Sequence, residues 1–473
     1  MTSRLARRCL VGAGALLVGL LVATSAWAQG MFYAEELKDG RYYVFNIKDN
    51  WDRYKASGET GVGITRLNAG PNGETVYADN EQALDLFFFK HGIKEVVPRP
   101  PAPVQRIEWR DGKTRITLGN NFYMELSNRI QPRFTYEMPD DSVTLPGTEA
   151  AGDGKPSFRI RRAKLKFEGW FYKPELEYEF QANWTDVVNT PASQIVEDAN
   201  IDWDLTKKKA FRIRFGQFKA PFGRQQLTSS GAQQFVDRAI QDPRLNDGRE
   251  TGLALWGTLL TNKIDWRVMA SNGNGRSQTL NDNAKFLYSG RVMWQVIGNV
   301  RMNQWSSGAL MTEGDLGDSV NGALLAVAGQ LSNNDRRFST TGNDLNNTTW
   351  GVDYTFKYKG FASVGEYGDR KSEPETGREF HDKGLLLQAS YAFKAPGVAG
   401  ASFWELAFRY AKVDPSGIVD NNDRDEIGGA LNYYYNRHNL KIQADYRQLK
   451  DDAANAGRGT TTKEFRLQTQ FIF

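Results

Sequence analysis

The chain ends on Lys463-Glu464-Phe465-Arg466-Leu467-Gln468-Thr469-Gln470-Phe471-Ile472-Phe473. Phe465, Leu467, Thr469, Phe471 and Phe473 fall on one face of an extended segment, and Arg466, Gln468 and Gln470 on the other. Alternation at every second residue is the mark of a strand with one apolar face. Working back along the chain, the pattern recurs. Leu440, Ile442, Ala444 and Tyr446 alternate with Lys441, Gln443, Asp445 and Arg447. Trp404, Leu406, Phe408 and Tyr410 alternate with Glu405 and Arg409. Trp350, Val352, Tyr354, Phe356 and Tyr358 enclose Asp353, Thr355 and Lys357. Ile264, Trp266 and Val268 enclose Asp265 and Arg267, and Leu176, Tyr178, Phe180, Ala182 and Trp184 interleave with Glu175, Glu177, Glu179, Gln181 and Asn183.

About sixteen such segments follow one another, an even count as bacterial transmembrane barrels require. They begin near Phe122, Phe158, Pro174, Val196, Phe211, Gly252, Ile264, Phe286, Val320, Asn347, Phe361, Asp382, Phe403, Glu426, Leu440 and Lys463. Some connections are short, such as Lys173-Pro174 and Arg437-His438-Asn439. Others, such as 332–346 and 414–425, are long and rich in Asn, Asp, Gly and Ser. Short turns at one end and long loops at the other predict an all-β, antiparallel transmembrane barrel of about 16 strands. A barrel that wide holds an aqueous channel. In hydrocarbon every backbone amide must be paired, which closure achieves, and the charged residues at alternate positions can all face the lumen. The mean hydropathy of −0.56 is compatible with this, because lumen-facing and lipid-facing residues average out. Aromatics make up 12% of the chain, the type used in belts at both membrane interfaces.

The first thirty residues differ from the rest. Arg4, Arg7 and Arg8 precede an apolar run over 10–23, followed by Ala26-Trp27-Ala28. This three-part pattern predicts a signal peptide over 1–28, cleaved after Ala28. The run is shorter than the roughly twenty residues of a spanning helix. Cys9, the one cysteine, lies inside it, so the exported chain is predicted to have no thiol, disulfide or cysteine-based metal site. Lys and Arg number 60 against 56 Asp and Glu, a net +4. Three of the basic residues belong to the leader, which leaves +1 and makes no case for nucleic acid.

Residues 29–97 lack the barrel pattern and predict a small α+β periplasmic module. Arg41 to Asn46 reads as a strand. Gly61 to Leu67 and Glu74 to Ala78 read as a hairpin around Pro71-Asn72-Gly73. Asp79 or Asn80 caps a helix from Glu81 to Lys90 that Gly92 closes. Tyr42, Tyr43, Phe45, Trp51 and Phe87 to Phe89 are read as its core. Pro98, Pro100, Pro101 and Pro103 mark a stiff linker over 98–112, and the barrel is predicted over 113–473.

Two stretches carry a family resemblance. Phe158-Arg159-Ile160-Arg161-Arg162-Ala163-Lys164-Leu165-Lys166-Phe167-Glu168-Gly169 looks like the second strand of the phosphate-selective porin O/P family. Gly216-Gln217-Phe218-Lys219-Ala220-Pro221-Phe222, followed by Leu227-Thr228-Ser229-Ser230 and Phe235-Val236-Asp237-Arg238-Ala239, resembles its fifth strand and following loop. The resemblance runs from about 113 to 473. It implies a trimer of 16-stranded barrels, an inward-folded loop at about 224–250 that narrows each pore, and lumenal Arg and Lys that pass anions along. The strand ending in Phe473 similarly resembles the insertion signal of outer-membrane proteins. The implied setting is the outer membrane of a Gram-negative bacterium, with its bilayer and lipopolysaccharide as surroundings and small anionic solutes such as phosphate as cargo.

Anion passage needs several weak cationic sites in series, since a solute must also leave. Forked Arg groups and point-like Lys suit it. Arg129, Arg133, Arg162, Lys164, Lys166, Arg212 and Arg214 are placed on the inward face, with Lys219, Arg224 and Arg238 at or after the start of the loop. Ion pairing across strands is the plainer use of the same residues. Glu175, Glu177 and Glu179 line one strand and Asp198, Asp202 and Asp204 another, and acid rings favour cations. The working expectation is a weakly anion-preferring channel, with a general non-selective porin as the alternative. A slip of faces is expected around 216–221, where Gly and Pro suggest a bulge.

Enzymatic signatures are missing from the sequence. His91, His381 and His438 are the only histidines, none at metal-ligand spacing. No Gly-x-Ser-x-Gly elbow or Gly-x-x-x-x-Gly-Lys-Ser/Thr loop occurs. No cofactor, metal site or catalytic residue is therefore expected. A further alternative gives residues 29–97 an anchoring role toward peptidoglycan or a periplasmic partner.

Overall fold

The structure is a computed structural model. It describes residues 32–93, 105–138, 154–185, 195–278, 280–302, 305, 308–337, 344–394, 402–417, 419, 421–453 and 459–473. The expected leader and the prolines of the expected linker lie outside these residues. The chain forms two compact units, divided after Pro101.

In the first unit, β1 (Ala34–Lys38), β2 (Arg41–Phe45), β3 (Ile64–Arg66) and β4 (Thr75–Ala78) form one sheet in the order β1-β2-β4-β3. The central pair β2–β4 is parallel, and the two outer pairs are antiparallel. Alternation along β2 and β4 gives the sheet two apolar faces. Val44, Val76 and Ala78 pack on Leu84, Phe87 and Phe88 of the helix Glu81–His91, whereas Phe45 and Tyr77 pack on Tyr54 and Trp51 of the helix Lys48–Ser57. The expected strand, hairpin and second helix are present. Asn80 caps that helix by accepting from Ala83 N at 3.0 Å, and Gly92 closes it in the left-handed region. Phe89 departs from the expected core and is 88% exposed. The helix Lys48–Ser57 and β1 were not anticipated. That helix lacks a capping side chain of its own at Ile47. Asp79, more than thirty residues away, accepts from Asn46 N and Ile47 N instead, and such a partner leaves no local signature.

The second unit is a closed antiparallel barrel. A hairpin, β5 (Gln105–Arg110) and β6 (Lys113–Leu118), lies across the expected linker–barrel boundary. Then follow β7 (Phe122–Met138), β8 (Lys155–Phe171), β9 (Leu176–Asn183), β10 (Val196–Asp204), β11 (Arg212–Lys219) and β12 (Arg249–Leu259). β13 (Ile264–Ser271), β14 (Leu287–Ile297), β15 (Leu324–Asp335), β16 (Leu345–Tyr358) and β17 (Phe361–Pro374) continue the wall. β18 (Phe380–Lys394), β19 (Phe403–Asp414), β20 (Arg424–Asn436), β21 (Leu440–Asp451) and β22 (Thr460–Ile472) complete it. Strands β7 to β22 are the sixteen that the alternation predicts.

Closure falls on β7. Its first half pairs with β6, from Leu118↔Phe122 to Thr114↔Leu126, and its second half with β22, from Ile472↔Arg129 to Lys463↔Met138. Phe473 extends the seam, with Asn128 N donating to its carbonyl at 2.6 Å and its own N–H donating to Asn128 O at 3.1 Å.

The wall is polar inside and apolar outside. Along β22, Arg466, Gln468 and Gln470 are buried, while Phe465, Leu467 and Phe471 are exposed. This is what a barrel in hydrocarbon needs, since outward side chains meet lipid and inward ones meet water or other polar groups. Tyr358, Phe361, Tyr391, Phe393 and Tyr435 are exposed at the short-turn end, as an interfacial aromatic belt requires. Among the described residues, one connection at that end is not a short turn. Between β14 and β15, the described residues 298–302, 305 and 308–323 fold into the lumen, because their Met302, Trp305, Leu310 and Met311 find an apolar wall there.

Two outcomes follow. Leu387, at the middle of β18 and 46% exposed, faces lipid, so Leu387→Arg is expected to cost about 2–4 kcal/mol, read by urea unfolding from vesicles. In the first unit, burial alone would raise the Glu35 carboxyl. Hydrogen bonds from Lys90 (2.9 Å), Tyr33 and His91 (3.1 Å) outweigh it and hold the pKa below its ordinary value. A lowered carboxyl stabilises the fold above its unfolded pKa and loses that contribution as pH falls through the lowered value. The protection of the Glu81–His91 amides against hydrogen exchange, relative to the intrinsic rate at each pH, should therefore fall on acidification below about pH 4, and Glu35→Gln should remove that pH dependence.

Candidate functional site: a basic chamber under an inward loop

Residues 220–248 connect β11 to β12 and fold into the lumen. The resemblance implied this loop at 224–250, but Arg249 and Glu250 already belong to β12. A backbone crossing a lumen has no ladder partner, so its amides and carbonyls need other groups. Inward side chains of the wall supply them. Glu366 accepts from Arg224 N (2.6 Å) and Gln225 N (3.3 Å), Asp445 from Val236 N (3.1 Å) and Glu426 from Ile240 N (3.0 Å). Carbonyls are held by donors. Arg133 binds Val236 O (2.9 Å), Lys441 binds Gln233 O (2.8 Å), Arg409 binds Asp237 O (3.0 Å) and Gln470 binds Gly231 O (3.0 Å). The wall from β17 to β22, with Arg133 of β7, is thus committed to pinning the loop, acids included.

Between the loop and the wall β7–β12 lies a cavity of about 210 Å3. Ten basic side chains line it: Arg129, Arg161, Arg162, Lys164, Lys166, Arg214, Lys219, Arg238, Arg249 and Arg276. Three carboxylates, Glu179, Glu197 and Asp198, share the lining with Gln181, Asn183, Ser229, Ser230, Phe218 and Trp305. Seven of the ten residues expected from sequence therefore converge on one chamber. Arg133, Arg212 and Arg224 lie off it. Arg133 is bound to Asp237 (2.5 Å) and Gln468. Arg212 is bound to Asp202 (2.7 Å) and Glu177 (2.6 Å). Arg224, in the loop itself, is buried, its Nε and Nη2 without a partner among the described residues.

The partners of the lining cations decide which can meet a solute. Lys164 is bound to Glu197, Lys166 to Glu168 (2.7 Å) and Glu179 (3.0 Å), and Arg249 to Asp198 (2.8 Å) and Glu197 (3.3 Å). Arg214 is bound to Asp202 at 2.7 Å and stacks on Trp305 and Trp256. Arg161 and Arg162 face Asp237 of the loop at 3.2 and 3.6 Å. Arg238 donates to the Gln225 carbonyl at 2.8 Å, with Asp242 at 3.5 Å. Arg129 and Lys219 have only neutral acceptors among the described residues. Arg129 donates to Ser230 (2.9 Å) and Ser229 (3.3 Å). Lys219 donates to Leu227 O (3.0 Å) and Thr228 O (3.1 Å). The acids that argued against anions are engaged as well. Glu175 faces Lys207, Glu177 Lys209 and Arg212, and Asp204 the amides of Thr206 and Lys209.

Several lining residues escaped the sequence reading. Arg161 sits next to Arg162, and strict alternation would send it outward. A register shift opposite Gln131/Pro132 adds a residue to β8 and lets both reach Asp237. Pro132, which has no N–H to donate, was the available cue. A second shift, between Val196 and Asp198, buries Glu197 and Asp198 together. Around 216–221 the pairing of β11 is unbroken, through Gln217 on one side and Lys219 on the other, but the alternation of faces ends as expected, since Gln217, Phe218 and Lys219 are all buried and Lys219 reaches the chamber. Gly216 also has a local reason. Its φ is +128°, and a Cβ would lie 2.2 Å from the Ala199 carbonyl oxygen.

A loop carboxylate that faces Arg133, Arg161, Arg162 and, at 3.7 Å, Arg466 holds down the field of the chamber. Asp237→Asn should therefore strengthen block of ion flow by a multivalent inorganic anion by roughly threefold or more, by the tenfold-per-1.4 kcal/mol scale. Titration of block in planar bilayers checks this, and weaker block would show that the carboxylate instead organises the site.

A family model described as phosphate-selective porin O and P matches residues 140–473. Among solved structures, the chain is similar to an anion-selective porin from Comamonas acidovorans, at 11% identity and a TM-score of 0.48 over 74% of this chain and 99% of that one. It is also similar to OmpT, an outer membrane protein of Vibrio cholerae, in trimer form (9%, 0.47, 74% and 99%). A third is the outer membrane channel DcaP of Acinetobacter baumannii (12%, 0.45, 74% and 97%). No curated protein sequence matches the chain.

Proposed function

The chain belongs to the phosphate-selective porin O and P family, and on that premise we propose that this outer-membrane porin conducts small anions, phosphate among them, through its basic chamber. The supporting observation is that Arg129 and Lys219 meet the chamber without a carboxylate partner among the described residues, while its three lining acids are held by Lys164, Lys166, Arg249 and Gln181. Two cations with only neutral acceptors leave a positive field in a narrow space. One unit charge at 4 Å is worth about 4 kcal/mol at an effective dielectric near 20, before the anion's lost hydration is subtracted.

An entering anion exchanges water for the Arg129 fork, the Lys219 ammonium and the hydroxyls of Ser229 and Ser230. The paired cations Lys164, Lys166 and Arg249 offer weaker sites next to these, since each shares its charge with an acid. A graded series lets the anion pass from site to site and escape, as conduction demands. The family also implies three such barrels per assembly, which cross-linking of detergent-extracted protein tests.

The direct experiment is single-channel recording of the purified protein in a planar bilayer under a salt gradient, with added phosphate. Discrete steps, an anion-biased reversal potential and block by phosphate are expected. Lys219→Ala and Arg129→Ala should each weaken that block about tenfold, equivalent to about 1.4 kcal/mol. A reversal potential of cation sign sinks the reading. Steps without phosphate block leave a general porin.

A further inference from the structure

At the end of the barrel where 260–263, 359–360 and 437–439 make tight joints, the described residues between β14 and β15 (298–302, 305 and 308–323) re-enter the lumen. Several inward positions of β11 to β15 are apolar here, beside the buried pair Asp265–Arg267. Phe218, Ala254, Trp256, Met269, Met293, Leu324, Ala326 and Ala328 face a lumen that elsewhere carries charge, and Met302, Trp305, Leu310 and Met311 cover them. The basic chamber borders this sector, with Phe218 and Trp305 in its lining.

The same segment holds both ends of the stretch that presents Lys219. Trp305 Nε1 donates to the Lys219 carbonyl at 3.1 Å. Its ring lies under the guanidinium of Arg214 at 4.5 Å and of Arg267 at 4.8 Å. Nine residues on, Thr228 Oγ1 donates to Met311 O at 2.8 Å. The Lys219 ammonium reaches the carbonyls of Leu227 and Thr228 between these two fastenings. Deeper along the loop, Glu313 accepts from Gln234 N (3.0 Å) and Gln225 Nε2 (3.0 Å). At the mouth the segment is tied back to the wall. Asp318 binds Lys357 at 2.7 Å, Asp315 accepts from Gly360 N at 2.8 Å, and Leu316 packs on Phe403 and Tyr434.

We propose that the described residues of this connection, 305 and 308–323 above all, are a second constriction element, inserted from the short-turn, periplasmic end, with Trp305 as the residue that positions Lys219 for anions. The inference rests on the porin reading above. It assigns pore width and anion preference to two elements entering from opposite ends. The extracellular loop supplies the ceiling of the chamber, and the periplasmic segment supplies its floor and the register of Lys219. Trp305 acts through Lys219 and Arg214, so its effect belongs to selectivity more than to width.

The test compares three variants with the unaltered protein in planar bilayers, with folding checked by heat-modifiable gel mobility. Replacing 299–322 by Asn-Gly, a two-residue hairpin joint, should raise single-channel conductance roughly twofold or more and move the reversal potential toward zero, as an opened aqueous lumen requires. Trp305→Ala should weaken phosphate block by about threefold or more on the tenfold-per-1.4 kcal/mol scale, with a smaller change in conductance. Trp305→Phe keeps a ring under Arg214 but loses the N–H to Lys219, and should fall between. A folded replacement variant with unchanged conductance and block overturns the proposal. If that variant does not fold, unchanged phosphate block in Trp305→Ala overturns it. Absence of steps from the unaltered protein would instead sink the porin reading.

Discussion

A backbone amide in hydrocarbon has no water to turn to, and everything else in the barrel follows from that constraint. It forces the wall to close, which places β22 against β7. It also forces the side chains to divide by parity. Once Phe465, Leu467 and Phe471 face lipid, Arg466, Gln468 and Gln470 have nowhere to go but inward. The charge that fills the lumen is thus a by-product of closure before it is a device for handling solutes. The chemistry of the pore depends on which of those charges remain available.

The same rule acts a second time on the loop 220–248. Its backbone crosses the lumen without a strand beside it, and wall side chains act as its ladder. Glu366, Glu426 and Asp445 accept from its N–H groups, and Arg133, Arg409 and Lys441 donate to its carbonyls. This engages acids on one arc of the barrel, while on the other, from β7 to β12, ten basic side chains gather with three carboxylates around the chamber. A chain with almost balanced charge can in this way present a strongly basic chamber. Net charge, which sums over both arcs, carries no trace of the sorting.

What could be read beforehand divides along the same line. Parity is local, so the sixteen strands, the inward placing of Arg162, Lys164, Lys166 and Arg214, and the outward face of β22 were visible in the sequence. Partners are not local. Arg133 and Arg212 looked like pore cations, yet Asp237 and Asp202 hold them. Arg161 was missed because one extra residue in β8 changes parity. The helix Lys48–Ser57 was missed because its cap comes from Asp79. The stretch before Val320 carried no strand reading, since scattered Met, Trp and Leu have no period until an apolar wall is set opposite them.

The seam has a consequence for how the barrel forms. Arg133 and Gln468, which meet across it, are 335 residues apart in the sequence. Until β22 has been made and inserted, the second half of β7 is a bare edge, and bare edges recruit other strands. The hairpin β5–β6 lies on the first half only, from Phe122 to Leu126. It is made before β7 and can dock as soon as β7 appears, because the contact is short-range and closing a short loop is fast. The nascent barrel therefore carries its own guard on the stretch nearest the short-turn rim. The remaining edge stays open for a single late partner, so order of synthesis contributes to choosing the strand that closes the ring.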